Sequence, residues 1–359
     1  MNDLQNIRYI MVMILGVFGS IFLHAESLTD STSVFSNFNF KPTTEGSNVN
    51  ENHTANIGLS EFEEFEDCDV CGCGSSGGSM GYGTIGNGDF IGLRYITQQY
   101  QSRDGIYNNS PWIDENFNTM QAWARIPISQ KIKLNVIVPY HFHNRQFIDG
   151  SSQRINGLGD ISILGFYQLI SPKLDGFLPE QQSKFKHNLE VGVGLKLPTG
   201  EYDRANNEGS VNPSFQVGTG SWDVLLASNY SVSHQNWGVG LLANYTIKTE
   251  NEQEYHFGNQ FNYGLNLFRT FNTMNAKTFT PVSFSPVLGL SGEIFGENES
   301  YGLAVKDTKG SVLFSRIGVE STYGKISGGV NLMLPVSQDL NGGAVEAKMR
   351  LGIHLNFVL

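Results

Sequence analysis

From residue 89 onward, apolar and polar residues alternate with a period of two, and polar, turn-like stretches interrupt the alternation at intervals. In residues 131–143, Ile132, Leu134, Val136, Val138, Tyr140 and Phe142 share one face; Lys131, Lys133, Asn135, His141 and His143 share the other. In 186–197, Leu189, Val191, Val193, Leu195 and Leu197 oppose Asn188, Glu190, Gly192, Gly194 and Lys196. In 236–247, Trp237, Val239, Leu241, Ala243, Tyr245 and Ile247 oppose Asn236, Gly238, Gly240, Asn244 and Thr246. Period two places successive side chains on opposite faces of a strand. The pattern predicts roughly twelve strands of about 9–11 residues, the length of a tilted membrane strand. One row is apolar and the other is charged or small, as a wall between lipid and a polar lumen requires. The expectation is therefore all-β: a transmembrane antiparallel β-barrel over residues 89–359, whose even strand number returns both ends to one side.

The last strand reads without a break over 345–358. Val345, Ala347, Met349, Leu351, Ile353, Leu355, Phe357 and Leu359 are expected to face lipid; Glu346, Lys348, Arg350, Gly352, His354 and Asn356 to face inward. This segment resembles the C-terminal signal by which bacterial outer-membrane barrels are recognised for insertion, with the aromatic third from the end. The resemblance implies the barrel assembly machinery and outer-membrane lipid as partners. Connections alternate in length. Ser129-Gln130, Ser233-His234-Gln235 and Gly324 read as tight turns, whereas 101–116, 144–157, 198–220 and 295–310 read as long polar loops. Short periplasmic turns and longer external loops are the barrel asymmetry. Residues 171–185 and 270–280 depart from it.

Residues 1–25 carry Arg8 and an apolar run from Tyr9 to Leu23, with Leu23-His24-Ala25 as a cleavage site. The run is short for a bilayer span, so it reads as a secretory signal peptide. The formal net charge is −11, and it is uneven. Residues 26–67 hold nine acidic residues against Lys41 alone, and are expected to form a disordered, acidic, low-complexity tail in the periplasm. Nothing here has the basic surface of a nucleic-acid binder. Charged residues are 16% of the chain, below the roughly 25% usual in soluble domains. Localisation to the cell outer membrane follows as the expectation.

Four short motifs add a family. Gly157-Leu158-Gly159-Asp160-Ile161, Leu197-Pro198-Thr199-Gly200, Gly218-Thr219-Gly220-Ser221-Trp222-Asp223 and Leu334-Pro335-Val336-Ser337-Gln338 resemble, in order and spacing, the outer-membrane barrel family associated with phenol meta-pathway degradation. The similarity covers residues 85–359. It implies a barrel that passes or binds a small hydrophobic solute, and it supplies no catalytic residues.

The candidate chemistry lies in two places. The inward rows predict that Lys131, Lys133, His141, His143, Asp160, Glu190, Lys196, Arg316, Glu320 and Arg350 line the lumen, with Asp223 among them. Such acids and bases read as paired or solvated networks rather than catalytic groups, so no enzyme is expected. His141 and His143 admit a metal-binding reading, but solvated pore-lining imidazoles fit the pattern better. The inward glycines Gly192, Gly194, Gly238, Gly240, Gly264 and Gly289 are expected to leave space for a pathway or a plug. The second place is the Cys/Gly-rich segment 68–88. Cys68, Cys71 and Cys73 would suit Cu(I) or Zn(II) as thiolates. In an oxidising compartment the same cysteines would instead form one disulfide and leave one thiol. A metal-handling surface protein built on this segment is thus the alternative to a solute-passing barrel.

Overall fold

The computed structural model describes residues 88–103, 111–171, 185–202, 213, 215–274 and 280–359. The predicted signal peptide, the acidic tail and all three cysteines lie outside them. Twelve antiparallel strands close into a barrel: β1 (Phe90–Ser102), β2 (Ile113–Pro127), β3 (Ile132–Gln146), β4 (Ser152–Leu158 and Ile161–Ile170), β5 (Lys186–Leu197), β6 (Asp223–His234), β7 (Trp237–Ile247), β8 (Gln260–Arg269 and Phe271–Met274), β9 (Pro281–Phe295), β10 (Gly310–Tyr323), β11 (Ile326–Leu340) and β12 (Val345–Val358). Each strand pairs with its sequence neighbours, and β1 pairs with β12 to complete the ring. No edge of the ring is left to expose unpaired backbone groups to hydrocarbon.

The tight turns form where the backbone can reverse in two residues. His234 pairs with Trp237 around Gln235, which sits at φ +51°, and Tyr323 pairs with Ile326 around Gly324 at φ +59°. Left-handed backbone in a two-residue hairpin matches the twist of the flanking strands. These turns and both ends of the barrel chain lie at one mouth, the turn end. The longer connections gather at the other, the loop end.

Burial follows the alternation. Leu93, Val193, Leu241, Leu265, Leu288, Ile317 and Leu355 point outward and are exposed, while Arg94, Asn135, Glu190, Asn244, Asn262 and Arg316 point inward and are buried. Three features depart from the sequence reading. Residues 144–157 are not a long loop: β3 runs to Gln146, β4 starts at Ser152, and Phe147–Ser151 is a hairpin held by Phe147 N–H donating to Ser151 O at 3.0 Å. Both faces there are polar, with Asn144, Arg145, Gln146, Gln153 and Arg154, so no alternation marks the strand.

The second departure is in β12. Val345 and Ala347 face inward, 1% and 2% exposed, rather than toward lipid. Gln99 pairs with Met349 and Tyr100 with Ala347, so Lys348 is an extra residue. One bulged residue flips every side chain beyond it. β4 has a similar break: Ile155 and Gly157 face inward before Gly159-Asp160, and Asp160, Ser162, Leu164 and Phe166 after it.

Third, most of the inward glycines do not leave open space. A Cβ at Gly192 would lie 2.8 Å from the Phe166 ring, one at Gly194 2.6 Å from Leu164, and one at Gly264 3.1 Å from Leu242. Each is a notch filled by a larger side chain from the next strand. Gly240 alone among those named has nothing within 4 Å.

Val193 is central in β5 and 60% exposed on the lipid side. Val193→Arg is expected to lower folding stability by about 2–4 kcal/mol, the cost of a cation near the bilayer midplane. Denaturant titration of the protein refolded into vesicles measures it, with Val193→Leu as the near-neutral control.

Candidate functional site in the lumen

Three of the four sequence motifs meet at one carboxylate. Asp160 sits at the break in β4, where Gly159 allows the chain to pass close to His141 and Pro139 of β3. Its Oδ1 accepts the Gly200 N–H at 3.0 Å, and its Oδ2 accepts the Thr219 N–H at 2.9 Å and hydroxyl at 2.8 Å. Lys196 on β5 bridges Asp160 at 3.1 Å and Asp223 at 2.6 Å, and donates to the Thr219 hydroxyl at 2.5 Å. Ser221 donates to Asp223 at 3.0 Å, and Asn251 donates to the Thr219 carbonyl at 3.0 Å. Gly200 and Gly218 pass backbone to backbone; a Cβ on either would lie 2.7 Å from the other's Cα. This node ties the connection between β5 and β6 into the barrel.

The described residues of that connection reach into the barrel. Phe215, Gln216 and Val217 are buried inside the wall. Phe215 and Val217 join an apolar cluster with Tyr100, Phe117, Ile155, Phe295, Val312, Phe314, Leu340 and Val345, all inward residues near the loop ends of their strands. Phe117 meets Phe215 edge-on at 6.1 Å and Tyr100 at 6.0 Å.

Buried charges pair beside this cluster, where Glu115 lies opposite Tyr100, and further toward the turn end. Arg350 binds Glu293 through both nitrogens, at 2.6 and 3.1 Å, and donates to the Tyr100 hydroxyl at 3.0 Å. Arg145 binds Glu115 at 2.5 Å. Glu190 accepts from Arg125 and lies 3.5 Å from Lys133, which is 3.4 Å from Asp89. At the turn end a cavity of about 560 Å³ is lined by polar groups, among them Lys133, Lys186, Asn188, Ser231 and Ser233.

The residues expected from sequence fall as follows. Lys133, Asp160, Glu190, Lys196 and Arg350 point inward and take part in these networks; Arg316 points inward and donates to Asn331 at 2.8 Å, and Glu320 lies half-buried on the inward row of β10. Lys131 is a correction: it is exposed in the turn between β2 and β3, because the reversal starts before the alternation does. His141 and His143 are 3% and 2% exposed, so they are not solvated. The rings lie 4.8 Å apart; His141 Nδ1 contacts the Thr119 hydroxyl at 2.9 Å, and His143 stacks edge-on with Phe117 at 4.9 Å. No cluster of three metal-ligating side chains occurs among the described residues. Sequence reasoning missed Arg125, Arg145, Glu115 and Glu293, which the inward parity of β2, β3 and β9 would have flagged. It also missed Phe215, which no periodicity marks.

A family model described as "Putative MetA-pathway of phenol degradation" matches residues 112–327. Among solved structures, an outer membrane channel from Pseudomonas putida F1 is similar with a TM-score of 0.55 and 16% identity, over 77% of this chain and 98% of that one. The beta domain of the Bordetella autotransporter BrkA is similar with a TM-score of 0.42 and 9% identity, over 76% of this chain and 100% of that one. The first likeness shows a shared barrel fold. No curated protein matches the chain.

Lys196 neutralises two buried carboxylates, so Lys196→Met leaves Asp160 and Asp223 facing each other without a cation. Breaking a buried pair in this way costs about 3–5 kcal/mol. The expected outcome is a folded but less stable barrel, with the connection 198–222 cut by protease added to intact cells. Resistance equal to wild type would show that Thr219 holds without the lysine.

Proposed function

The chain belongs to the phenol-degradation MetA-pathway family, and from that membership we propose that this outer-membrane barrel passes a small hydrophobic solute. The observation that carries the reading is the apolar cluster inside the loop end. A channel for polar solutes keeps its interior polar and wet. Here a buried aromatic and aliphatic cluster lies inside the loop end, and part of it, Phe215 and Val217, comes from a connection rather than the wall. An apolar solute can replace those contacts by its own burial, at roughly 25 cal/mol for each Å² removed from water. A hydrated solute cannot.

The path runs from the loop end, facing outside, through the apolar layer to the polar turn-end cavity, facing the periplasm. The Asp160 node is the hinge side of the step, because it holds the β5–β6 connection while Phe215 and Val217 give way. The barrel acts without catalysis in this reading: buried acids such as Glu115, Glu190 and Glu293 are held by bases. Insertion by the assembly machinery would use β12, where Phe357 faces lipid. The metal-handling alternative rests on Cys68, Cys71 and Cys73, which lie outside the described residues.

Cells expressing the protein are expected to take up the apolar fluorophore N-phenyl-1-naphthylamine faster than vector controls. Val217→Asp should abolish the gain, since a carboxylate in the apolar layer must stay hydrated or unpaired. Equal uptake with and without the protein would overturn the proposal. A thiophilic chelator should leave uptake unchanged; loss of uptake would favour the metal-handling alternative.

A further inference from the structure

Two histidines stand on the same inward row of β3, and their surroundings differ. His141 lies opposite Thr119 of β2, and its Nδ1 meets the Thr119 hydroxyl at 2.9 Å. His143 lies one step further toward the loop end. Its cross-strand neighbours are Phe117 on β2 and Ile155 on β4, neither of which carries a polar side-chain atom. The His143 side chain is 2% exposed, and neither ring nitrogen has a hydrogen-bond partner among the described residues. A buried polar group in that state is costly to keep and calls for an explanation.

The surroundings of His143 are the apolar cluster of the proposed path. Its ring meets Phe117 edge-on at 4.9 Å and lies 6.3 Å from Phe215. Phe215 in turn meets Phe117 at 6.1 Å, and the Arg145 guanidinium, bound to Glu115, lies 5.0 Å over the Phe215 ring. The Phe215 side chain thus marks a ring-sized place beside the imidazole. A phenyl ring fills that place and offers the imidazole no hydrogen bond. A neutral imidazole has one N–H donor and one acceptor nitrogen, and a hydroxyl can serve either. The Thr119 hydroxyl already does so for His141.

We propose that His143 is a specificity-determining residue of the path and reads a hydroxyl: the solute is ring-sized, apolar in its body and carries one hydroxyl group. As the solute crosses the loop end, its ring takes over the contacts of Phe215. Its hydroxyl meets His143 as the Thr119 hydroxyl meets His141. A hydrocarbon of the same size gains the burial but leaves the imidazole unpaired. The proposal rests on the solute-passage reading and names the chemistry that reading leaves open.

The full-length protein in detergent micelles is titrated with 4-fluorophenol and, separately, with 4-fluorotoluene. Fluorine NMR of each ligand is followed, with empty micelles as the reference for partition. The two ligands differ by a hydroxyl in place of a methyl. The wild-type protein is expected to bind 4-fluorophenol about tenfold more tightly, the value of a buried hydrogen bond whose loss strands one partner. His143→Phe should weaken 4-fluorophenol to the level of 4-fluorotoluene, with folding checked by heat-modifiable gel mobility. His143→Gln, which keeps a donor and an acceptor, should restore part of the preference. Equal affinities for the two ligands on the wild-type protein would overturn the role of His143, whatever the variants do. So would a preference that survives in folded His143→Phe. Fluorophore uptake by cells separates the two readings. Uptake with no preference for the phenol leaves passage standing and removes the hydroxyl reader; the preference without uptake overturns passage and leaves His143 in a binding site alone.

Discussion

The backbone hydrogen bonds between β1 and β12 are the constraint from which the rest of this molecule follows. Hydrocarbon offers no partner for an exposed N–H or C=O, so a sheet can cross a bilayer only if it closes on itself. Here the closure joins residues far apart in the chain, from Phe90 with Val358 to Ser102 with Val345. Once the ring exists, each strand has one row committed to lipid and one committed to the lumen. Twelve strands enclose more than their own side chains fill in the smallest barrels, and less than the open channel of the largest. The interior must therefore be either wet or deliberately filled.

This barrel fills it in two ways. At the loop end the filling is apolar and includes residues from outside the wall, Phe215 and Val217. Beside the cluster and toward the turn end it is ionic: acids and bases from different strands meet in buried pairs, as Arg350 does with Glu293 and Lys196 with Asp160 and Asp223. Such pairs add little net stability over a well-packed apolar core, because desolvation offsets the attraction. What they supply is geometry. The Asp160 carboxylate accepts backbone N–H groups from Gly200 and Thr219, and so fixes where the two ends of that connection meet the barrel.

The pairs that meet within the lumen, such as Arg350 with Glu293, are structural. The barrel fold is shared with an outer membrane channel of 16% identity.

Much of the architecture was legible in the amino-acid order. Period-two alternation in segments such as 131–143 and 186–197 determined strand, face and barrel, because lipid and lumen impose opposite chemistry on successive residues. Parity alone placed Asp160, Glu190, Lys196 and Arg350 inward. Tertiary structure decided what parity cannot carry. A single bulge at Lys348 turned Val345 and Ala347 inward, and polar strand ends at 144–157 hid two strand tips, since alternation vanishes where both faces are wet. The glycine notches looked like space and are occupied, because which side chain fills a notch depends on the register of the neighbouring strand. The meeting of Gly159-Asp160, Thr199-Gly200 and Thr219 at one carboxylate joins positions about forty to sixty residues apart. Linear order determines which residues face inward; only closure of the ring brings them within hydrogen-bonding distance, and that distance is what turns a row of polar residues into a site.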